Sequence, residues 1–202
     1  MNALARSGLA LVWLLQASCA PTTPATFYLL TPVAESPVVN SLDGPWLGVG
    51  PVSLPGYLDR PQMVLRQANR ELEVAGFHRW GEPLREHFPR VLTDNLVRLL
   101  PEARVSSYPW RGQLVPGHQL TVEVLRFDID ADGNAVLEAN WELLAGEKRT
   151  LLARGREVYR ESSALGDHHA QVAALSKVLE TLSRRLAREA ALQLKVIPPS
   201  GS

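Results

Sequence analysis

One cysteine, Cys19, is the whole thiol content of this 202-residue chain, and it stands ahead of the residues that can build a domain. No disulfide can staple the residues after it, so any domain they form must be held by packing alone. The stretch before it is equally constraining. Arg6 and the free amine give a weakly positive start, and Leu9-Ala10-Leu11-Val12-Trp13-Leu14-Leu15 is an apolar run of signal-peptide length. A bilayer-spanning helix needs about 20 apolar residues, so the run is too short to cross.

Ala17 and Ser18 close that run, immediately before Cys19. A small-small-Cys ending resembles the lipobox of bacterial lipoproteins. It implies a signal peptide over residues 1–18, a covalent lipid on Cys19, and no other cofactor. Gln16 departs from the pattern, because Leu usually stands three before the cysteine and Leu15 lies one place early. The alternative is plain secretion, with cleavage near Ala20 and a free thiol. Residues 19–26 are uncharged and aperiodic, rich in Pro and Thr, which suits a lipidated tether. In proteobacterial lipoproteins an Asp after the cysteine holds the protein at the inner membrane. Ala20 points instead to the outer membrane, lipid-anchored and facing the periplasm.

About 180 residues remain, enough for one domain with a buried core. Lys plus Arg and Asp plus Glu are equal at 21 each, so no basic excess exists to attract nucleic acid. The domain is expected over residues 27–195, with a disordered tail over 196–202 after Pro198-Pro199. Its first half reads as strands broken by Pro and Gly: Phe27–Leu30, Trp46–Leu54, and Met63–Arg66 paired with Glu71–Val74 around a turn at 67–70. Leu84, Phe88, Val91, Leu92, Leu96, Leu99 and Leu100 then recur at helical spacing, with Pro101 as the stop. Pro89 fits a helix beginning near His87, because a first-turn proline loses no hydrogen bond.

The second half alternates clearly. Leu120, Val122 and Val124 mark one strand, Asp132-Gly133-Asn134 a turn, Val136–Leu144 the next strand and Thr150–Arg160 a third, which together form a meander. On the third, Leu152, Arg154, Arg156, Val158 and Arg160 share one side. Gly166-Asp167 offers a cap for a long helix whose apolar stripe is Leu175, Val178, Leu179, Leu182, Leu186 and Ala190. Glu180 and Arg184 form an (i, i+4) pair on it. The expected class is α+β: an antiparallel or mixed sheet with two main helices packed on a face, in a single domain.

Chemistry-bearing motifs are weak. Asp128-Ile129-Asp130-Ala131-Asp132-Gly133 opens like a calcium-binding EF-hand loop, but position twelve is Ala139 and the flanks alternate as strands, so an acidic hairpin tip is the better reading. Gly48-Val49-Gly50 is followed by Pro51 and lacks a third glycine. His168-His169 cannot readily share a metal on a helix, and nothing at ligand spacing completes a zinc site. Ser162, Ser163, Asp167 and His168 contain triad atoms with no Gly-x-Ser-x-Gly elbow. Neither an active site nor a metal site is expected.

Two stiff segments remain. Leu54–Met63 has prolines at 55 and 61 around Tyr57, Asp59 and Arg60, and Phe77–Leu84 contains Trp80. Tyr, Trp and Arg are the side chains that anchor protein interfaces, so Tyr57, Asp59, Arg60 and Trp80 are the candidate partner-binding residues; packing in structural turns is the alternative.

Phe27-Tyr28-Leu29-Leu30, Val49-Gly50-Pro51-Val52, Leu54-Pro55 followed by Tyr57-Leu58-Asp59-Arg60-Pro61-Gln62-Met63-Val64, and Phe77, Trp80 and Glu82-Pro83-Leu84 occur in that order. This series resembles the PqiC/YmbA family of ABC-type transport auxiliary lipoproteins over nearly the whole mature chain. The resemblance implies a non-enzymatic outer-membrane lipoprotein working beside a periplasm-spanning MCE-domain (mammalian-cell-entry) partner that carries lipid between membranes. A homo-oligomer is the companion expectation, with the stiff loop touching an identical subunit or the MCE partner. Rival readings are a lipid-binding, chaperone-like periplasmic lipoprotein and a periplasmic hydrolase.

Overall fold

The computed structural model describes residues 24–34, 41–110 and 115–194; the signal peptide, Cys19, the tether up to residue 23 and the 196–202 tail lie outside the described residues. The strands are β1 (Thr26–Tyr28), β2 (Trp46–Ser53), β3 (Gln62–Arg66), β4 (Leu72–Trp80), β5 (Arg104–Ser107), β6 (His118–Ile129), β7 (Ala135–Ala145) and β8 (Thr150–Glu161). Two helices, α1 (Leu84–Leu99) and α2 (His168–Leu194), complete the domain. The expected α+β class is the one found, with a mixed eight-stranded sheet that does not close into a barrel.

The sheet forks along β6. One edge of β6 pairs antiparallel with β7 from His118↔Ala145 to Ile129↔Ala135, and β7 pairs onward with β8. The other edge is shared: β2 runs parallel to it up to Ser53↔Glu123, while β3 meets it only at Leu65↔Ile129. Beyond β2 lies β5; beyond β3 lie β4 and then β1. Residues 124–128 of β6 thus face a notch between the two branches.

Alternation decides which side is buried. Ala135, Leu137, Ala139, Trp141 and Leu143 of β7 belong to the core with Leu120, Val122, Val124 and Phe127 of β6, under the helices. Phe88 of α1 meets Phe127 edge-on with ring centres 5.1 Å apart. Every residue of the expected α2 stripe is buried, and Asp167 caps the helix by accepting the Ala170 N–H at 3.0 Å. Glu180 accepts from Arg184 at 2.9 Å on the outer side, as the spacing implies.

The chain after β1 crosses the two helices. Thr31 N–H donates to Ser176 Oγ at 3.0 Å, and Val33 N–H donates to Asn95 Oδ1 at 2.9 Å. Asn95 Nδ2 in turn donates to Ser183 Oγ at 2.9 Å, so a buried amide bonds α1, α2 and the crossing segment. Buried backbone donors need such partners, which accounts for the polar residues in an otherwise apolar helix interface.

The structure departs from the sequence pattern in places. Helix α1 begins at Leu84 behind Pro83, a turn before His87, so Pro89 lies inside it. The hydrogen bond Pro89 omits would have gone to the carbonyl of Arg85, an exposed residue. β4 runs on to Trp80, and its register against β3 shifts between Gln62↔Arg79 and Val64↔Val74, which breaks the alternation there. β5 has no counterpart among the expected strands: four residues with Val105 alone buried carry no readable period.

Candidate functional site

The notch is filled by the segment between β2 and β3. Pro55 initiates a single 3-10 turn over Gly56–Leu58, closed by Leu58 N–H to the Pro55 carbonyl at 3.0 Å and Asp59 N–H to the Gly56 carbonyl at 3.1 Å. Leu58 is buried in the core. At the far end the Pro61 carbonyl accepts the Trp80 N–H at 2.6 Å, tying the segment to β4.

Tyr57 points into the notch. Its hydroxyl accepts the Phe127 N–H at 3.2 Å and donates to Asp128 Oδ2 at 2.9 Å. The phenol thereby occupies a position on the β6 edge that a neighbouring strand would otherwise fill. Asp128 lies in β6 rather than at the hairpin tip, and its side chain is fully buried. Arg66 Nη2 reaches its Oδ2 at 2.8 Å, and Arg126 Nε reaches its Oδ1 at 2.7 Å. Arg66 also lies 5.5 Å from the centre of the Tyr57 ring. One buried carboxylate is thus neutralised by two guanidiniums and a hydroxyl, the arrangement that makes burial of a charge tolerable. Burial, with the Asp128 charge adding to it, pushes the Tyr57 phenol up to about 12.

The four candidate interface residues fall into two pairs. Tyr57 is half-buried in this cluster, and the Trp80 side chain is only 5% exposed in the core. Asp59 and Arg60 are exposed at the crest of the same segment. Asp59 stands 3.4 Å from Arg85 of α1, an exposed pair, rather than pairing with Arg60.

The weaker motifs resolve into structure. Asp130 builds the β6–β7 turn, its Oδ1 accepting the N–H groups of Asp132 at 3.0 Å and Asn134 at 2.8 Å. Among the described residues no group of three or more His, Cys, Asp or Glu is placed to hold a metal ion. His168 stacks on His78 with ring centres 3.7 Å apart, and His169 packs on Tyr28. Ser163 Oγ donates to the Gly133 carbonyl while Asp167 caps α2, so the triad atoms serve separate turns. On β8, Arg154, Arg156 and Arg160 are exposed; Arg154 and Arg156 line an open trough of about 620 Å³ with Glu123, Asn140 and Glu142.

Sequence reasoning did not find Arg66, Arg126 or the buried role of Asp128. Arg66 and Tyr57 stand 62 and 71 positions from Asp128, beyond any local pattern, and Arg126, two positions away, carries no sign that the carboxylate is buried.

Solved structures that share this fold include the following two. One, described only as an uncharacterized protein, is 23% identical with a TM-score of 0.68, covering 83% of this chain and 99% of its own. Another, a Xanthomonas campestris protein of the DUF330 family, is 20% identical with a TM-score of 0.66, covering 84% and 96%. No curated protein sequence matches the chain. The family model for the ABC-type transport auxiliary lipoprotein component matches residues 28–187, which take in every element from Tyr28 to most of α2. With the PqiC/YmbA-type motifs of the β2–β3 segment in place and the family pattern running through the whole sheet, the chain belongs to the ABC-type transport auxiliary lipoprotein family.

Proposed function

We propose that the protein is held at the outer membrane by a lipid on Cys19, faces the periplasm, and serves a lipid-transport system as a non-catalytic docking component for an MCE-domain partner. Family membership already makes it an auxiliary component of an ABC-type transport system, and such a component acts through a transporter partner. Among the described residues no helix is long and apolar enough to cross a membrane, which is compatible with attachment through a Cys19 lipid.

The observation that carries the docking reading is the mounting of Asp59 and Arg60. Both are exposed, yet the segment beneath them is fixed by Leu58 in the core, Tyr57 on Asp128 and Pro61 on Trp80. A preorganised crest loses little ordering entropy when a partner binds, and Arg offers a planar fork of donors.

The test is a photo-crosslinking residue at position 60 in intact cells, followed by identification of the captured proteins and by membrane fractionation. Capture of an MCE-domain protein from the outer-membrane fraction is expected, and Cys19→Ala releases the protein into the soluble periplasm. Capture of another copy alone, or of nothing at wild-type abundance, contradicts docking through this crest.

A further inference from the structure

β1 and β4 bury one side and leave a greasy one. Thr26, Tyr28 and Leu30 turn inward, while Phe27 is 63% and Leu29 51% exposed. In the parallel β1–β4 pair Phe27 stands opposite Arg79, and residues opposite one another share a face. Phe77, in the stretch of β4 where the register against β3 slips, is 51% exposed as well. Phe27, Leu29 and Phe77 are more than half exposed and, with Arg79, lie on or beside β1 and β4 at the sheet edge where the described chain begins.

The tether sets how far they stand from the anchor. Six residues lie between Cys19 and Thr26, and a fully extended chain spans at most about 3.5 Å per residue step, so the Thr26 backbone lies within about 25 Å of that of Cys19. Resting on the lipid anchor proposed above, we infer that the face of Phe27, Leu29 and Phe77 lies against the lipid headgroups of the membrane that holds Cys19, with Arg79 toward lipid phosphates. Aromatic and aliphatic side chains beside a cation are the composition of an interfacial face. The same seating orients the domain. The N-terminal end of α2 packs at this corner through His168 on His78, and the helix runs from there for about 40 Å. Leu192, 72% exposed near its far end, lies on the helical side of the sheet, opposite the Phe27 face.

The test uses lipidated protein reconstituted in phosphatidylethanolamine–phosphatidylglycerol vesicles. Phe27→Cys, Phe77→Cys and, as reference, Leu192→Cys are each labelled with bimane, since a lipidated Cys19 offers no thiol. Lipids carrying a doxyl group high on the acyl chain are the quencher. Quenching at positions 27 and 77 at least about threefold that at 192 is the expected result, in variants melting at the parental temperature. Equal quenching at all three positions in protein that floats with vesicles overturns the membrane face and leaves the anchor standing, whether a second copy, a protein partner or solvent covers the patch. Parent protein that takes up label at Cys19 and fails to float overturns the anchor, and the membrane face with it.

Discussion

The Tyr57 hydroxyl and the Asp128 carboxylate, 71 positions apart, meet at 2.9 Å where the sheet divides. That contact converts an exposed-looking loop into part of the scaffold, and it separates the residues the loop buries from those it presents. Tyr57→Phe keeps the ring and removes both hydrogen bonds, leaving the Phe127 N–H without its acceptor. A loss of about 1–3 kcal/mol in urea unfolding is expected, the cost of an unsatisfied buried group. An unchanged midpoint would mean that the hydroxyl is not part of the fold's support.

Asp128→Ala is expected to be worse, because it strands two guanidiniums. Arg66 and Arg126 keep 30% and 22% of their side-chain exposure, so the loss should fall at or below the low end of the range for fully buried pairs, at about 2–3 kcal/mol. Millimolar calcium should shift the melting temperature of neither parent nor variant, since Asp128 is committed to arginines and Asp130 to its turn. Calorimetric titration showing tighter calcium binding would contradict this.

Gly155 faces Trp141 across the β7–β8 ladder, and a Cβ there would lie 2.8 Å from the indole Nε1. The bare backbone lets the ring lie flat on β8. Gly155→Ala should therefore destabilise by about 1–3 kcal/mol, as overpacking does, and should red-shift or quench Trp141 fluorescence as the ring is displaced. A neutral change in urea midpoint would show that the sheet yields.

Acid should weaken the fold through histidines. Burial lowers the pKa of His87, which is 1% exposed, and of His118; burial and then the neighbouring His168 and His169 lower that of His78. Each binds its proton more readily unfolded than folded. The stability they contribute is complete above the ordinary histidine value of about 6.5 and is lost as pH falls through the lower folded values. Melting temperature should drop between pH 7.5 and 5, and less steeply in His87→Gln. A flat profile, or one that rises toward acid, would contradict the assignment.

Much of this architecture is legible in the sequence because its burial is one-sided. β6, β7 and β8 alternate, and α2 keeps its stripe from Leu175 to Ala190 behind the Asp167 cap. Where burial is not one-sided, local pattern gives out: β5 buries Val105 alone, and β4 slips register between Val74 and Arg79. Pro89 misplaces the start of α1 because a proline one turn inside forfeits a single backbone bond, which the buried stripe from Leu84 to Leu99 outweighs. At the candidate site the sequence marks the right segment but cannot divide it. Tyr57 and Trp80 look like interface anchors by residue type, and only the distant Asp128, Arg66 and Pro61 partners reveal that both face inward.

That division identifies the variant that isolates docking from folding. Asp59→Ala with Arg60→Ala removes two exposed side chains whose one ion pair, to Arg85, is a surface contact of little energetic weight. The decisive measurement is co-purification of the proposed MCE-domain partner with this double variant, in parallel with its melting temperature. Retained melting within about 2 °C with at least tenfold loss of partner is the predicted result, a loss equivalent to about 1.4 kcal/mol of binding. A well-folded double variant that captures its partner at the parental level would contradict docking through Asp59 and Arg60.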